Sequence, residues 1–332
     1  MTGRIPVKPL RVGIIGAGGH ANSHFRMITD EEEMDLVAVA ELDPERLQNA
    51  LDTYGPFECF ADYETMLQRC DLEVVYVITM PGHLTEIVLT CLDRGLHTSI
   101  EKPPGMSSFD TERLLEASKR SQGKAIVSLN RRYMPQILAA KTLLVEHGGA
   151  VQVAANYNKP ITRLGTTAMA GIAPAPIICD AIHHVDLLRW LSGSKLEEAG
   201  DPAAVFAQSW LGEREGSFRY NALMDFENGC RGVMMSHYGV GYRIQKIEAH
   251  AEDLSIYMDL TGKPNCRVFL KGVENETQLD LESVGGSEYN ETRHFVGCIR
   301  QDRDPWSSLD DILKTMRLCE DIANGASSEM SH

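Results

Sequence analysis

The chain has 332 residues, 43% hydrophobic and 24% charged, which is long for one domain and suits two. Its 47 acidic against 32 basic residues give a net charge of −15, which excludes a nucleic-acid binder built on a basic face. Eight scattered cysteines without a Cys-x-x-Cys pair exclude a zinc ribbon or disulfide framework and fit a reducing, cytoplasmic setting. Met1–Leu10 lacks the apolar core of a secretory signal, and no apolar run approaches the ~20 residues of a membrane helix.

In chain order, Leu10–Ile15 reads as a strand, followed by glycines and a helix to about Ile28. Asp35–Ala40 is a second strand, and Asp43-Pro44 opens a helix with an acid at the cap and proline in the first turn. Glu73–Ile78 is a buried strand, Leu84–Arg94 a helix stopped by Gly95, Leu96–Ile100 a strand, Ser107–Gln122 a helix and Ala125–Leu129 a strand. Such alternation, with strands apolar on both faces, predicts a doubly wound parallel sheet of Rossmann type over residues 1–129. Residues 130–332 change pattern. Helices are expected at Pro135–His147, Asp180–Leu191 and Leu309–Ala323, with a strand at Val151–Tyr157. Strands are also expected at Ala203–Trp210, Phe218–Phe226, Cys230–His237, Ile244–Ala249, Leu254–Leu260 and Arg267–Leu270, with Asn228-Gly229 as a hairpin turn. This half is predicted to be an open-faced, mostly antiparallel sheet with helices on one face, an α+β domain. Its tail, Ala326–His332, is expected to fray.

The first strand runs into Gly13-Ile-Ile-Gly16-Ala17-Gly18-Gly19-His20-Ala21. Read as G-x-G-x-x-A, Gly16 permits the tight turn, Gly18 admits a pyrophosphate and Ala21 allows close helix packing. The exposed amides of Gly18 and Gly19 and the following helix dipole would hold the phosphates, with His20 beside them. Glu41 stands at the end of the second strand, where ribose hydroxyls are read, and no arginine follows it directly. NAD is therefore expected over NADP. His20 and His24 lie one helical turn apart, but further ligands are missing and no metal is expected.

Lys102 sits where the strand Leu96–Ile100 ends, between Glu101 and Pro103-Pro104. A lysine there can point into the crevice where open α/β sheets bind ligands; a plain surface lysine at a strand end is the alternative. Taken together, Val12–Gly19, Ala40–Arg46, Gly95-Leu-His97, Glu101-Lys-Pro103, Asn130-Arg-Arg132, Ile182–Trp190 and Arg293-His-Phe295 resemble the glucose–fructose oxidoreductase / inositol dehydrogenase / MocA family over nearly the whole length. The resemblance implies a nicotinamide cofactor at the carboxyl edge of the Rossmann sheet with Glu101, Lys102 and Thr79 near it. It makes Lys102–Pro103 a candidate cis bond. It also implies a dimer or tetramer formed through the open sheet.

Hydride chemistry on an alcohol needs a hydride acceptor, a base for the hydroxyl proton and a cation for the oxyanion. Cys179-Asp180-Ala-Ile-His183-His184 offers the remaining groups, expected opposite Lys102 across a domain crevice. Family members show Asp and His at i and i+4, with a second Asp three residues after the His. Anchoring on Asp186 and Trp190 makes His183 the base with Asp180 as neighbour; anchoring on Asp180 makes it His184. The first is favoured and the second held in reserve. After the third strand, Thr79-Met-Pro-Gly-His83-Leu84 departs from the family pattern, with Leu84 where a histidine is usual. Arg131, Arg132 and Tyr133 are expected either to touch substrate oxygens or to form a hinge and helix start. Asn158, ending a strand, is assigned to the substrate side. The expected activity is an NAD-dependent dehydrogenase acting on a secondary hydroxyl of a sugar, cyclitol or related polyol. NAD-assisted glycoside cleavage and a non-catalytic dinucleotide sensor are the alternatives.

Overall fold

The computed structural model describes residues 8–161, 166–275, 279–325 and 327–329. They form two compact units. The first comprises the described residues up to Gly105, with Glu112–Ser128 and Asn290–Leu309; the second holds Met106–Thr111, Leu129–Tyr289 and those from Asp310 on. The expected single boundary after residue 129 thus omits a return: residues 290–309 come back to the first unit. Such a return is a long-range contact, which local sequence pattern does not encode.

In the first unit six strands, β1 (Leu10–Ile15), β2 (Met34–Ala40), β3 (Glu58–Phe60), β4 (Val74–Val77), β5 (His97–Ile100) and β6 (Ala125–Val127), pair in parallel in the order β3-β2-β1-β4-β5-β6. The order reverses between β1 and β4, which marks the ligand crevice at the strands' carboxyl ends. All four residues of β4 are buried, as its continuous Val-Val-Tyr-Val run requires in a sheet covered on both faces. The crossovers carry α1 (Ala21–Thr29), α2 (Pro44–Tyr54), α3 (Tyr63–Arg69), α4 (Pro81–Asp93) and α5 (Ser108–Arg120). Asp43 caps α2 by accepting from the Glu45 and Arg46 amides. β3 and α3 had no separate expectation: the three residues of β3 cannot display a period, and the seven of α3 make only two helical turns.

The second unit opens with a 3-10 turn at Asn130–Tyr133 and α6 (Pro135–Glu146). Its sheet contains β7 (Gln152–Asn158), β8 (Pro202–Leu211), β9 (Phe218–Phe226), β10 (Arg231–His237), β11 (Ile244–Ala251), β12 (Leu254–Asp259), β13 (Asn265–Leu270), β14 (Val273–Asn275) and β15 (Ser327–Glu329). Their order is β14-β13-β12-β11-β7-β10-β9-β8-β15, and every pair except β7–β10 is antiparallel. Between β7 and β8 lie α7 (Pro176–Cys179) and α8 (Ile182–Ser192). The chain then supplies α9 (Glu291–Gln301) to the first unit and α10 (Leu309–Asn324) mainly to the second. Burial alternates along β9: Tyr220, Ala222, Met224 and Phe226 are buried, whereas Leu223 is 58% exposed. Phe206, Met235 and Tyr257 share that open face. Of the tail expected to fray, Ser327–Glu329 pairs with β8, while Ala326 and residues 330–332 lie outside the described residues.

Charged side chains fill part of this unit's core. Arg132 is fully buried; its Nε donates to Asp186 at 2.7 Å, its Nη2 bonds the other Asp186 oxygen, and the same nitrogen lies 2.7 Å from Asp311. Arg189, equally buried, donates to Asp311 at 2.8 Å and to the Thr315 hydroxyl at 2.8 Å. The 3-10 turn, α8 and α10 are therefore pinned together by ions of which Asp311 alone keeps some exposure to solvent. Breaking one member strands another. Asp186→Ala is expected to cost about 3–5 kcal/mol, because Arg132 would lose its main counter-charge. Denaturant unfolding followed by tryptophan fluorescence measures this, and a loss below about 1 kcal/mol would show that Asp311 alone suffices.

Candidate active site

Candidate residues occur in both units.

In the first unit the glycine turn follows β1. Gly16 has φ +97°, and a Cβ there would collide with the Ile78 carbonyl oxygen, so only glycine fits. Its amide donates to Ala40 O at 2.8 Å. Beyond it, Gly18 and Gly19 face open space, and Ala21 is fully buried at the start of α1. Glu41 is fixed beside this turn: one oxygen accepts from the Ala17 amide at 2.7 Å, the other from the Asp43 amide at 3.0 Å. The Thr79 methyl lies 3.4 Å from the ideal Cβ position of Gly16, and the Thr79 hydroxyl is buried without a hydrogen-bond partner among the described residues. Open space over two glycines, a helix start and an orphaned hydroxyl fit a dinucleotide at this turn.

Lys102 is half-buried just past β5, and its bond to Pro103 is cis. The preceding Glu101 enters a buried cluster that the sequence did not announce. His24 Nε2 lies 3.2 Å from Glu101, and His24 Nδ1 lies 3.6 Å from Glu291, the first residue of α9. Glu291 also accepts from the Ser128 hydroxyl at 2.8 Å. His24 is thus turned into the core while His20 is exposed, so the two histidines do not converge. Burial alone would lower the His24 pKa; the Glu101 hydrogen bond and the Glu291 charge outweigh it and raise it. Burial also opposes ionisation of Glu101, but His24 and Lys102 hold its pKa low. Glu291, for which burial dominates, is pushed up to about 7. Leu84, at the departure from the family pattern, is core, and His83 is exposed.

In the second unit Asp180 is not in the first turn of α8. It follows α7 with φ −131° and ψ −57°, and α8 starts at Ile182. Four hydrogen bonds account for the displacement. Tyr157 OH donates to Asp180 at 2.8 Å, Tyr238 OH at 2.9 Å, and Lys159 Nζ reaches both carboxylate oxygens at 2.7 and 2.8 Å. His184 is fully buried against the Tyr157 ring. Arg131 Nη1 lies 2.9 Å from His184 Nδ1, and Arg131 Nη2 donates to Gln245 Oε1 at 2.9 Å. Because a guanidinium only donates, His184 Nδ1 accepts and the ring proton sits on Nε2. Burial and the charges of Arg131, Arg243 and Lys159 hold the His184 pKa well below its usual value. His184 stays neutral with its basic lone pair engaged. His183 is half-buried on the first turn of α8. Tyr133 is fully buried in its turn, in line with a helix-start role, and Asn158 Oδ1 accepts from the His237 amide at 2.9 Å.

Sequence reasoning missed Lys159, Tyr157 and Tyr238 as partners of Asp180. A signal did exist for Gln245: it stands at an inward position of β11, which otherwise presents Ile247, Ala249 and Ala251 to the core.

Residues 10–129 match the model of an oxidoreductase family with an NAD-binding Rossmann fold. A myo-inositol 2-dehydrogenase of Thermotoga maritima is 23% identical over 251 residues, 71% of this chain and 72% of that protein. An inositol 2-dehydrogenase of Burkholderia ambifaria is 28% identical over 197 residues, 57% and 56% of the two chains. Among solved structures, an aldose-aldose oxidoreductase from Caulobacter crescentus superposes with a TM-score of 0.81 at 20% identity, covering 97% of this chain and all of that one. A levoglucosan dehydrogenase in complex with NADH gives 0.80 at 17% identity, covering 96% and 97%. The match to the glucose–fructose oxidoreductase / inositol dehydrogenase / MocA model of NAD-binding oxidoreductases thus covers the Rossmann strands and helices of residues 10–129.

The buried cluster makes stability depend on pH in a defined direction. Glu291 and His24 both have raised pKa values, so the folded state holds more protons than the unfolded chain. For Glu291 the stabilisation is complete below the ordinary glutamate value of 4.5 and is lost as pH rises to about 7. His24 continues the loss above 6.5. Wild-type melting temperature should fall through this window, and Glu291→Gln, which needs no ionisation, should flatten the fall. Thermal scans across the range check it; parallel profiles would place the proton elsewhere.

Proposed function

We propose that the protein is an NAD-dependent dehydrogenase that transfers a hydride between a secondary hydroxyl of a sugar, cyclitol or related polyol and nicotinamide. The observation that carries this reading is Lys102 at the carboxyl end of β5, in the unit whose glycine turn and Glu41 fit the dinucleotide. Relatives named for inositol and a structural neighbour named for aldoses support the substrate class.

Gly18 and Gly19 would hold the pyrophosphate, Glu41 the adenosine ribose, and Thr79 the nicotinamide half. When bound, the cofactor supplies the hydride acceptor. This chain's own residues do the rest. Lys102 donates to the substrate oxygen and stabilises the charge that grows there. His183 takes the hydroxyl proton, a role that His184 cannot fill while Arg131 occupies its lone pair. Asp180 holds Lys159, Tyr157 and Tyr238 in place, which makes it a positioning residue. The open face bearing Phe206, Leu223, Met235 and Tyr257 is assigned to a dimer or tetramer of this chain, since so apolar a surface is a liability in isolation. A cytoplasmic location suits the eight free cysteines.

NADH absorbance with NAD and a polyol panel tests the reading. Lys102→Ala should lose ~10²-fold in turnover while NADH affinity is kept. Near-normal turnover in that variant removes the lysine from the chemistry. Release of aryl alcohol from glycosides without net NADH would replace the dehydrogenase with NAD-assisted cleavage.

Cofactor choice has its own test. A carboxylate at the ribose repels a 2′-phosphate, so Glu41→Ser should narrow the preference for NAD over NADP by about tenfold or more. An unchanged ratio of kcat/KM for the two cofactors places Glu41 away from the ribose.

A further inference from the structure

The second unit gathers cations in a chain that carries 15 excess negative charges. Register places them. In the antiparallel β7–β11 pair, Ile244 lies opposite Asn158 and Gln245 opposite Tyr157. Arg243 immediately precedes β11 and Lys159 immediately follows β7, so both cations lie at the same end of that pair. Lys159 is neutralised by both oxygens of Asp180. Arg243 is exposed and makes no ion pair or hydrogen bond among the described residues. Arg131 adds a third cation, its guanidinium carbon 5.7 Å from the centre of the Tyr157 ring, while Lys159 Nζ is 5.1 Å from the same centre. Of these three cations, Lys159 is the one ion-paired with a carboxylate among the described residues.

Two buried groups point the same way. Among the described residues His184 Nε2 and Gln245 Nε2 have no hydrogen-bond partner, and both residues are fully buried. Each is a donor. Arg131 donates to His184 Nδ1 and to Gln245 Oε1, which leaves Nε2–H on the imidazole and NH₂ on the amide. A buried donor without an acceptor costs about 1–3 kcal/mol, and a ligand rich in acceptors removes that cost. A neutral polyol could satisfy donors one at a time. It would leave the charge of Arg243 unanswered.

We propose that the alcohol this unit takes carries an anionic group, a carboxylate or a phosphate, held by Arg243 together with Arg131 and Lys159. The inference rests on the dehydrogenase reading above and narrows its substrate from polyols in general to acidic ones. Arg243 acts as the specificity-determining residue, and the neutral imidazole of His184 contributes a donor rather than a base.

The test is titration calorimetry on the NADH-loaded protein with glucitol, gluconate and glucitol 6-phosphate. One of the two anions should bind at least about tenfold more tightly than glucitol, the scale of one added charge-assisted contact. Gluconate in the lead assigns a carboxylate; the phosphate ester in the lead assigns a phosphate. Arg243→Gln should erase the difference, and Arg243→Lys should restore part of it, with NADH affinity as the control for folding. Glucitol binding as tightly as both anions, or a preference that survives in Arg243→Gln, overturns the proposal. Because the readout is binding, it separates from the parent reading. An anion that binds through Arg243 without any NADH formation from NAD sinks the dehydrogenase and leaves the anion site standing.

Discussion

The second unit depends on one buried interaction, the ion network of Arg132 and Arg189 with Asp186 and Asp311. Desolvating four charges is costly, and the arrangement holds because each guanidinium meets a carboxylate and further oxygens. Burial and its two arginine neighbours act oppositely on Asp311, and the arginines win, holding it well below the usual carboxylate range. The consequence is geometric. Arg132 lies in the turn that carries Arg131, and Asp186 and Arg189 lie on the helix that carries His183 and His184. The groups proposed for substrate thus stand one to three positions in sequence from members of the network.

In the first unit the corresponding constraint is carried by backbone. Gly16 must be glycine because the Ile78 carbonyl occupies the space of a side chain, and Ala17 must present its amide because Glu41 receives it. Behind Lys102 the arrangement is ionic again. Glu101 and Glu291 flank one imidazole, and a carboxylate so placed ionises only while the imidazole is charged or the other acid is protonated. Lys102 is covalently next to that cluster and contributes to holding Glu101 ionised. The protonation of His24 is thereby part of the electrostatic setting of Lys102.

How much of this the sequence revealed follows the same division. The parallel sheet was legible because continuous apolar runs, the Asp43 cap and the glycine turn are local signals. The glycine turn came with them, since a backbone turn is written in consecutive residues. β3 was too short to show a pattern, and the return of Glu291–Gln301 to the first unit is a long-range contact that no local pattern records. Asp180 illustrates the limit most clearly. Helical spacing put it one turn from His183 or His184, whereas hydrogen bonds from β7 and from beyond the end of β10 draw it out of the helix. The two histidines could not be told apart by register, because what distinguishes them is a guanidinium from another segment.

The contrast between the units explains why cofactor and substrate differ in legibility. A pyrophosphate is common to every dinucleotide, so one turn of chain with fixed amides suffices to read it. A particular alcohol has to be distinguished from many similar ones, and discrimination comes from buried polar groups that are left unpaired by the wrong ligand. Here such groups come from a 3-10 turn, two strands and a helix: Arg131, Lys159, Gln245 and His184 are far apart in sequence and meet only through packing. The β7–β11 register sets Gln245 opposite Tyr157, beside the partners of Asp180. Slipping that pairing by one residue would turn Gln245 outward, so the polar cluster of this unit is a property of its sheet register before it is a property of any one residue.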